Sequence, residues 1–193
     1  MPHVTLIGTQ EQRLVERLQQ ADKTAAREFY TQYIDSLAGV CMRYIADEES
    51  LKDVLQNAFA HIFSHISDFE YRGKGSLLAW AKRIVVNESL KFLKAEEHFE
   101  PLQQNYDVAE EDADDNFSIS GIPPDIIHQM MSRLPVGYRT VLNLYVLEGK
   151  SHQEIARLLG FRSDTSASQL HKAKKMLAKM IRKYNDENPN DNG

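Results

Sequence analysis

The chain has 193 residues, 42% of them apolar and 26% charged, with a formal net charge of −5, a composition that fits one large or two small globular domains. No run approaches the roughly 18 apolar residues a membrane-spanning helix needs, and residues 1–10 lack the basic start and apolar stretch of a secretory leader. The single cysteine excludes an internal disulfide and a multi-cysteine metal site, and these features together point to the cytoplasm.

Helical periodicity runs along the chain and no stretch reads as a strand. Apolar spacing predicts helices over residues 11–20, 23–38, 40–45, 49–67 and 77–94, with Asp22 and Asp47 as N-caps. Cys41 sits in the apolar run Ala38-Gly-Val-Cys-Met42 and reads as a small core residue. His61 and His65 are four apart on a predicted helix, with Asp68 a turn further on. Zinc needs a third or fourth ligand in firm geometry, so no metal site is assigned.

The segment Tyr71-Arg-Gly-Lys-Gly-Ser76 interrupts the helical pattern as a glycine-containing loop. Around it Arg72, Lys74, Lys82, Arg83, Lys91 and Lys94 stand among Phe69, Tyr71, Trp80 and Phe92. Basic groups follow a phosphate backbone and exposed aromatic faces stack on unpaired bases, so the mixture suits a single strand better than a duplex. Trp80 and Phe92, at helical spacing, read as core aromatics.

Residues 95–125 hold ten Asp/Glu and no Lys or Arg, whereas the other 162 residues hold 23 basic and 18 acidic. That segregation assigns separate work to separate segments. Residues 95–122 are acidic, poor in aliphatics and end at Gly121-Ile-Pro-Pro124, which reads as a flexible linker. Helices follow over residues 125–133 and 136–147. The polar tail, 185–193, is expected to be disordered.

Between Lys150 and Lys183 the pattern is a basic helix–turn–helix. Ser151-His-Gln-Glu154 is a capping box opening a short helix to Leu159, and Gly160 closes it where a left-handed residue is wanted. Asp164 is the expected cap of a longer helix to about Tyr184. On that helix Ala167, Leu170, Ala173, Leu177 and Ile181 share one side. The other side carries Thr165, Ser168, Lys172, Lys175 and Lys179, flanked by Gln169 and His171. Short hydrogen-bonding side chains followed by a row of lysines suit a major-groove helix: base edges first, phosphates along the flank. Residues 150–183 carry nine Lys/Arg against two Asp/Glu, a net of +7. A solvated amphipathic helix would share the spacing but not the capped partner helix and glycine turn.

With these residues in hand, a family resemblance is plain. The run Phe69-Glu-Tyr-Arg-Gly-Lys-Gly-Ser-Leu-Leu-Ala-Trp80-Ala-Lys-Arg-Ile-Val-Val-Asn87 resembles the promoter-melting region of extracytoplasmic-function (group IV) sigma factors of the sigma-70 family. Arg27-Glu-Phe-Tyr30 and Asp53-Val-Leu-Gln-Asn-Ala-Phe59 resemble the family's first helices. Leu134-Pro-Val-Gly-Tyr-Arg139 through Lys172 resembles its second domain. The resemblance implies an all-α protein: a core-binding and −10 recognition domain over 10–94, the linker, and a −35 recognition domain over 123–184.

It also implies roles. Asp53, Gln56 and Phe59 match the helix that docks on the clamp helices of the polymerase beta-prime subunit, and the beta subunit is expected to contribute as well. Tyr71 and Asn87 match a pocket for a base flipped from the non-template strand of the −10 element, and an aromatic face with an amide edge is what an extruded base requires. Arg72, Lys74, Lys82, Arg83 and Lys91 would hold that strand's phosphates. Ser168, His171 and Lys172 match base-facing positions for the duplex −35 element. Trp80 matches a largely structural position. Two departures leave the promoter sequence open: Ala167 stands where many members carry a basic residue, and Gly75 is an unusual second glycine in the loop.

By the same resemblance, the linker threads the polymerase's RNA channel, where its −9 charge would meet basic walls. Its 28 residues reach up to ~90 Å at ~3.3 Å each, whereas promoter elements about 17 base pairs apart are separated by only ~58 Å. A plain solubilising tether would share this composition. Glu48 with Glu49, and Asp114 with Asp115, lack the apolar surroundings that would split their pKa values for acid–base work. No glycine-rich phosphate loop follows a strand, so neither cofactor nor catalysis is expected. The expected partners are core polymerase, promoter DNA and an anti-sigma factor. The rival readings are a sigma-like decoy that only sequesters an anti-sigma factor, and an ordinary helix–turn–helix repressor.

Overall fold

Short polar side chains start the helices. Thr9 accepts from Gln12 N at 3.2 Å to open α1 (Gln10–Gln19), and Asp22 accepts from Thr24 N at 2.8 Å to open α2 (Lys23–Met42). Asp47 accepts from Ser50 N at 2.8 Å ahead of α3 (Glu48–His65), which tightens into a 3-10 turn at Ile66–Asp68. After the glycine loop comes α4 (Ser76–Ala95). The later helices are α5 (Pro124–Ser132), α6 (Val136–Leu142), α7 (His152–Leu159) and α8 (Ser163–Glu187). In this computed structural model residues 9–96 and 121–188 are described. Among them every regular element is helical, so the fold is all-α.

The chain divides into two compact units at Phe92. Most of the acidic linker and the last five residues lie outside the described residues. Part of the expected tail is helical, since α8 continues past Tyr184 to Glu187 and ends at Asn188.

In the first unit the core is built on Phe29, Leu37, Tyr44, Ile62, Leu77 and Val85, all fully enclosed. Phe29 meets Tyr33, Phe59 and Phe63 at centroid distances of 5.0, 6.2 and 5.9 Å, an edge-and-tilt cluster favoured by ring quadrupoles. The two helices expected over 23–38 and 40–45 are one. Gly39 costs about 1 kcal/mol in a helix interior, yet Leu37, Val40 and Cys41 beside it are no more than 2% exposed and their burial carries the helix through.

In the second unit α6 and α7 pack on α8 around Tyr138, Val141, Leu144, Ile155, Ala173 and Ile181. The helix expected over 136–147 is α-helical only to Leu142 and then widens to a π-helical turn, Asn143–Leu147. That turn leaves Tyr145, Val146 and Leu147 facing outward. No helix among the described residues is long and apolar enough to cross a membrane.

Candidate nucleic-acid interface

The loop before α4 is shaped by two glycines with positive φ, Gly73 (+112°) and Gly75 (+88°), a region closed to most side chains. Gly73 O accepts from Ser76 N at 3.1 Å, and Ser76 Oγ accepts from Arg72 N at 3.2 Å, so the loop folds back onto the helix start. From there Trp80, Arg83, Asn87, Lys91 and Lys94 follow at helical spacing. All except half-buried Trp80 are exposed, which makes one polar, basic stripe down α4.

Lys74, Lys82 and Arg83 reach no carboxylate among the described residues, whereas Arg72 pairs with Glu70 at 3.3 Å and Lys91 with Glu88 at 3.7 Å. Lys82 stands half-buried on the flank of the stripe. Trp80 lies 5.0 Å from the Phe69 ring and lines an open cleft of about 510 Å³ with Phe69, Arg72, Ser76 and Arg83. It is therefore not a closed core residue. Tyr71 is half-buried, its hydroxyl 2.6 Å from Thr9 Oγ1. No hydrogen bond or ring contact joins Tyr71 to Asn87 among the described residues.

The second surface is made by α7 and α8. Ser151 and Glu154 form the reciprocal capping box, with Glu154 N to Ser151 Oγ at 3.3 Å and Ser151 N to Glu154 Oε2 at 2.9 Å. The Ser151 amide first, and then the Ser151 hydroxyl donating at 2.8 Å, hold the Glu154 carboxyl below its ordinary value. Gly160 takes φ +80°, and the amides of Gly160 and Phe161 both return to Ala156 O at 2.8 and 3.2 Å, which stops α7.

The longer helix departs from expectation in its start and at single positions of its first turns. Its N-cap is Arg162, without a side-chain bond; Asp164 lies in the first turn, 3.6 Å from Arg162. Ser166 is fully buried and hydrogen-bonded to His152 Nδ1 at 2.9 Å. His152 in turn stacks on Tyr145 at 4.8 Å. Of the predicted apolar side, Leu170, Ala173, Leu177 and Ile181 are buried, whereas Ala167 is exposed and Ser166, bonded to His152, takes the inward place at the start of the helix. Gln169 turns inward too: it is 7% exposed and packs beside Gly137. Ser168, His171 and Lys179 are exposed, while Thr165, Lys172 and Lys175 flank them half-buried.

Comparison with known proteins bears directly on these two surfaces. The sigma-70 region 2 pattern matches residues 29–99, and the sigma-70 region 4 pattern matches residues 125–177. The ECF RNA polymerase sigma-E factor of Haemophilus influenzae is 30% identical over 182 residues, covering 89% of this chain and 95% of that one. The chain belongs to the extracytoplasmic-function sigma-70 family. The RNA polymerase sigma-H factor of Pseudomonas aeruginosa is 29% identical, covering 91% of this chain and 96% of its own. The sigma-E factor of Escherichia coli is 26% identical, covering 86% and 92%. A solved structure of CnrH in complex with the cytosolic domain of CnrY aligns at 17% identity over 89% of this chain and 96% of that one, with a TM-score of 0.46.

The protein is thus a transcription initiation factor, from a family that is not enzymatic and whose partners are core RNA polymerase and promoter DNA. The sigma factor's polymerase-docking candidates lie on α3. Asp53 and Gln56 are exposed on one face, but Phe59, expected there, is 7% exposed. Its ring is enclosed by Phe29, Tyr30 and Phe63. Phe59 therefore lies beneath the candidate docking face and is not on it. The apolar part of that face is Phe63, 36% exposed, and Tyr30, 48% exposed over Phe59. Neither was singled out from sequence, although Phe63 stands seven residues after Gln56, two helical turns along the same face.

Proposed function

We propose that this sigma factor reads its promoter through two separate surfaces, single-stranded DNA along the loop and α4, and duplex along α8. What supports the first is the stripe itself: Arg83, Asn87 and Lys91 exposed in line from a loop that presents Tyr71. Arg72, Lys74 and Lys82 supply further positive charge beside it. Phosphates of the non-template strand run along the cations, while Tyr71 stacks on an unpaired base and Asn87 offers it an amide edge. On α8, Ser168 and His171 face the major groove, Thr165 and Lys172 flank them, and Lys175 and Lys179 take phosphates. Gln169 is left out of this reading because it is buried. Asp53, Gln56 and Phe63 dock on the beta-prime clamp helices, and the beta subunit completes the contact. An anti-sigma factor that covers the α3 face or the α8 face would silence the protein. The decoy reading is not favoured, since relatives named as sigma factors align across the whole of both regions.

Tyr71→Ala and Asn87→Ala test the first surface. Stacking of one base is worth about 1–3 kcal/mol, so both variants should bind core polymerase normally and show reduced permanganate-detectable opening. A pre-melted −10 bubble should rescue only partly; full rescue would mean that these residues separate strands without reading a base. Co-purification from the native host tests the silencing partner. Recovery of core polymerase subunits alone under non-inducing conditions would exclude it.

A further inference from the structure

Helix α1 precedes residues 29–99, the span of the region 2 match, and no promoter or polymerase contact argued above uses it. It nevertheless grips the −10 reading loop at its entrance, its aromatic ring and its exit. At the entrance Gln19 Nε2 donates to Ile66 O at 3.2 Å and to Phe69 O at 2.9 Å. At the ring, Thr9 Oγ1 lies 2.6 Å from the Tyr71 hydroxyl. At the exit the Glu11 carboxylate takes both of the amides on offer, Gly75 N at 2.6 Å and Leu77 N at 2.9 Å, one on each oxygen. Those amides open α4, where the helix dipole favours a negative partner and the charge shortens the bonds.

A loop with two glycines in the left-handed region has many alternative shapes, each diluting the one that presents Tyr71. An aromatic face selects a base only if the ring is already in place when the base arrives. We propose that α1 is a splint for this loop, with Glu11 and Thr9 as positioning residues that set base selectivity through Tyr71 and the amides of Gly75 and Leu77, without touching DNA. This rests on the reading of Tyr71 as the acceptor of an unpaired base.

The test uses the full chain with core polymerase and a promoter panel carrying each of the four bases, in turn, at every −10 position. The readout is the ratio of permanganate-detected opening on the preferred base to that on the others. Glu11→Gln keeps the shape but can accept only one of the two amides. Thr9→Val keeps the shape and loses the hydroxyl. Each should lower the ratio about three- to tenfold, the size expected for one lost hydrogen bond, with core binding unchanged. Tyr71→Ala should flatten it altogether. In a Tyr71→Phe background, Thr9→Val should lower the ratio far less, since the Tyr71 hydroxyl is already gone and only the cap on Gln12 N remains to lose.

A uniform fall in opening with the ratio preserved would overturn the proposal, because α1 would then only support the unit's fold. A gain in opening for Glu11→Gln would also overturn it, showing the carboxylate to be an obstacle at the start of α4. If Tyr71→Ala flattens the ratio while Glu11→Gln and Thr9→Val leave it intact, the splint fails and the pocket reading stands. An unchanged ratio in Tyr71→Ala removes both.

Discussion

Thr140 is fully buried and its Oγ1 has no hydrogen-bond partner among the described residues, so its hydroxyl has lost water without recompense there. Thr140→Val keeps the shape and removes the orphan, and is expected to leave stability unchanged or raise it by about 1 kcal/mol in urea denaturation. On the exposed side of the same unit, the lysines of α8 separate by position. Lys172 flanks Ser168 and His171 near the start of the helix, and Lys179 is exposed two turns further on. Lys172→Ala should cost about 1–3 kcal/mol on the cognate duplex and less on a scrambled one. Lys179→Ala should weaken both equally and lower the salt slope by about one unit. Binding isotherms of the full chain at several salt concentrations distinguish them, and equal losses for Lys172→Ala would make it a phosphate contact. Individual residues were also where sequence reading failed. Gln169 and Ser168 are both uncharged polar residues, one helical step of about 100° apart. Packing beside Gly137 turns Gln169 in, and the His152–Ser166 bond that steadies the same turn joins residues fourteen apart in sequence.

Helix starts are legible at three caps of local chemistry, though the equally local Thr9 gives no such signal ahead of α1, and boundaries set by packing are not legible. Asp22, Asp47 and the Ser151–Glu154 box are caps because the bonding partners lie within three residues. The π-helical turn at Asn143–Leu147 and the continuation through Gly39 answer to tertiary contacts that no local pattern encodes. Asp164 failed as a cap because α8 begins one residue ahead of it, at Ser163. The caps carry a pH signature. The Arg17 guanidinium, then the Thr24 amide, hold Asp22 below its ordinary 3.8. The Ser50 amide does the same for Asp47. A carboxyl with a depressed folded pKa contributes its stability fully above the ordinary value and loses it as pH falls toward the depressed one. Melting temperature should therefore decline on acidification between about pH 5 and pH 2. Asp47→Asn, which still caps but does not titrate, should flatten part of that decline. Ser151→Ala should cost about 1 kcal/mol at neutral pH by thermal melting, through loss of the reciprocal cap.

At the scale of the whole chain, two helical domains were legible because charge and periodicity change together on either side of residues 95–122, even though the linker itself lies mostly outside the described residues. The overall charge of −5 conceals a +7 segment at residues 150–183. Duplex binding should consequently be steeply salt-dependent despite the acidic average, as fluorescence anisotropy against ionic strength would register. The lone thiol offers a different view of the same two-part chain. Cys41 is wholly enclosed, 3.6 Å from Ser89 Oγ, and burial pushes its pKa up. A thiol reagent can therefore reach it only when the first unit opens. Labelling is then a built-in timer for the opening of that unit. Core polymerase, by binding the folded first unit, should slow the timer in proportion to its occupancy. The wild-type protein can thus report its own engagement with the enzyme, with no probe added.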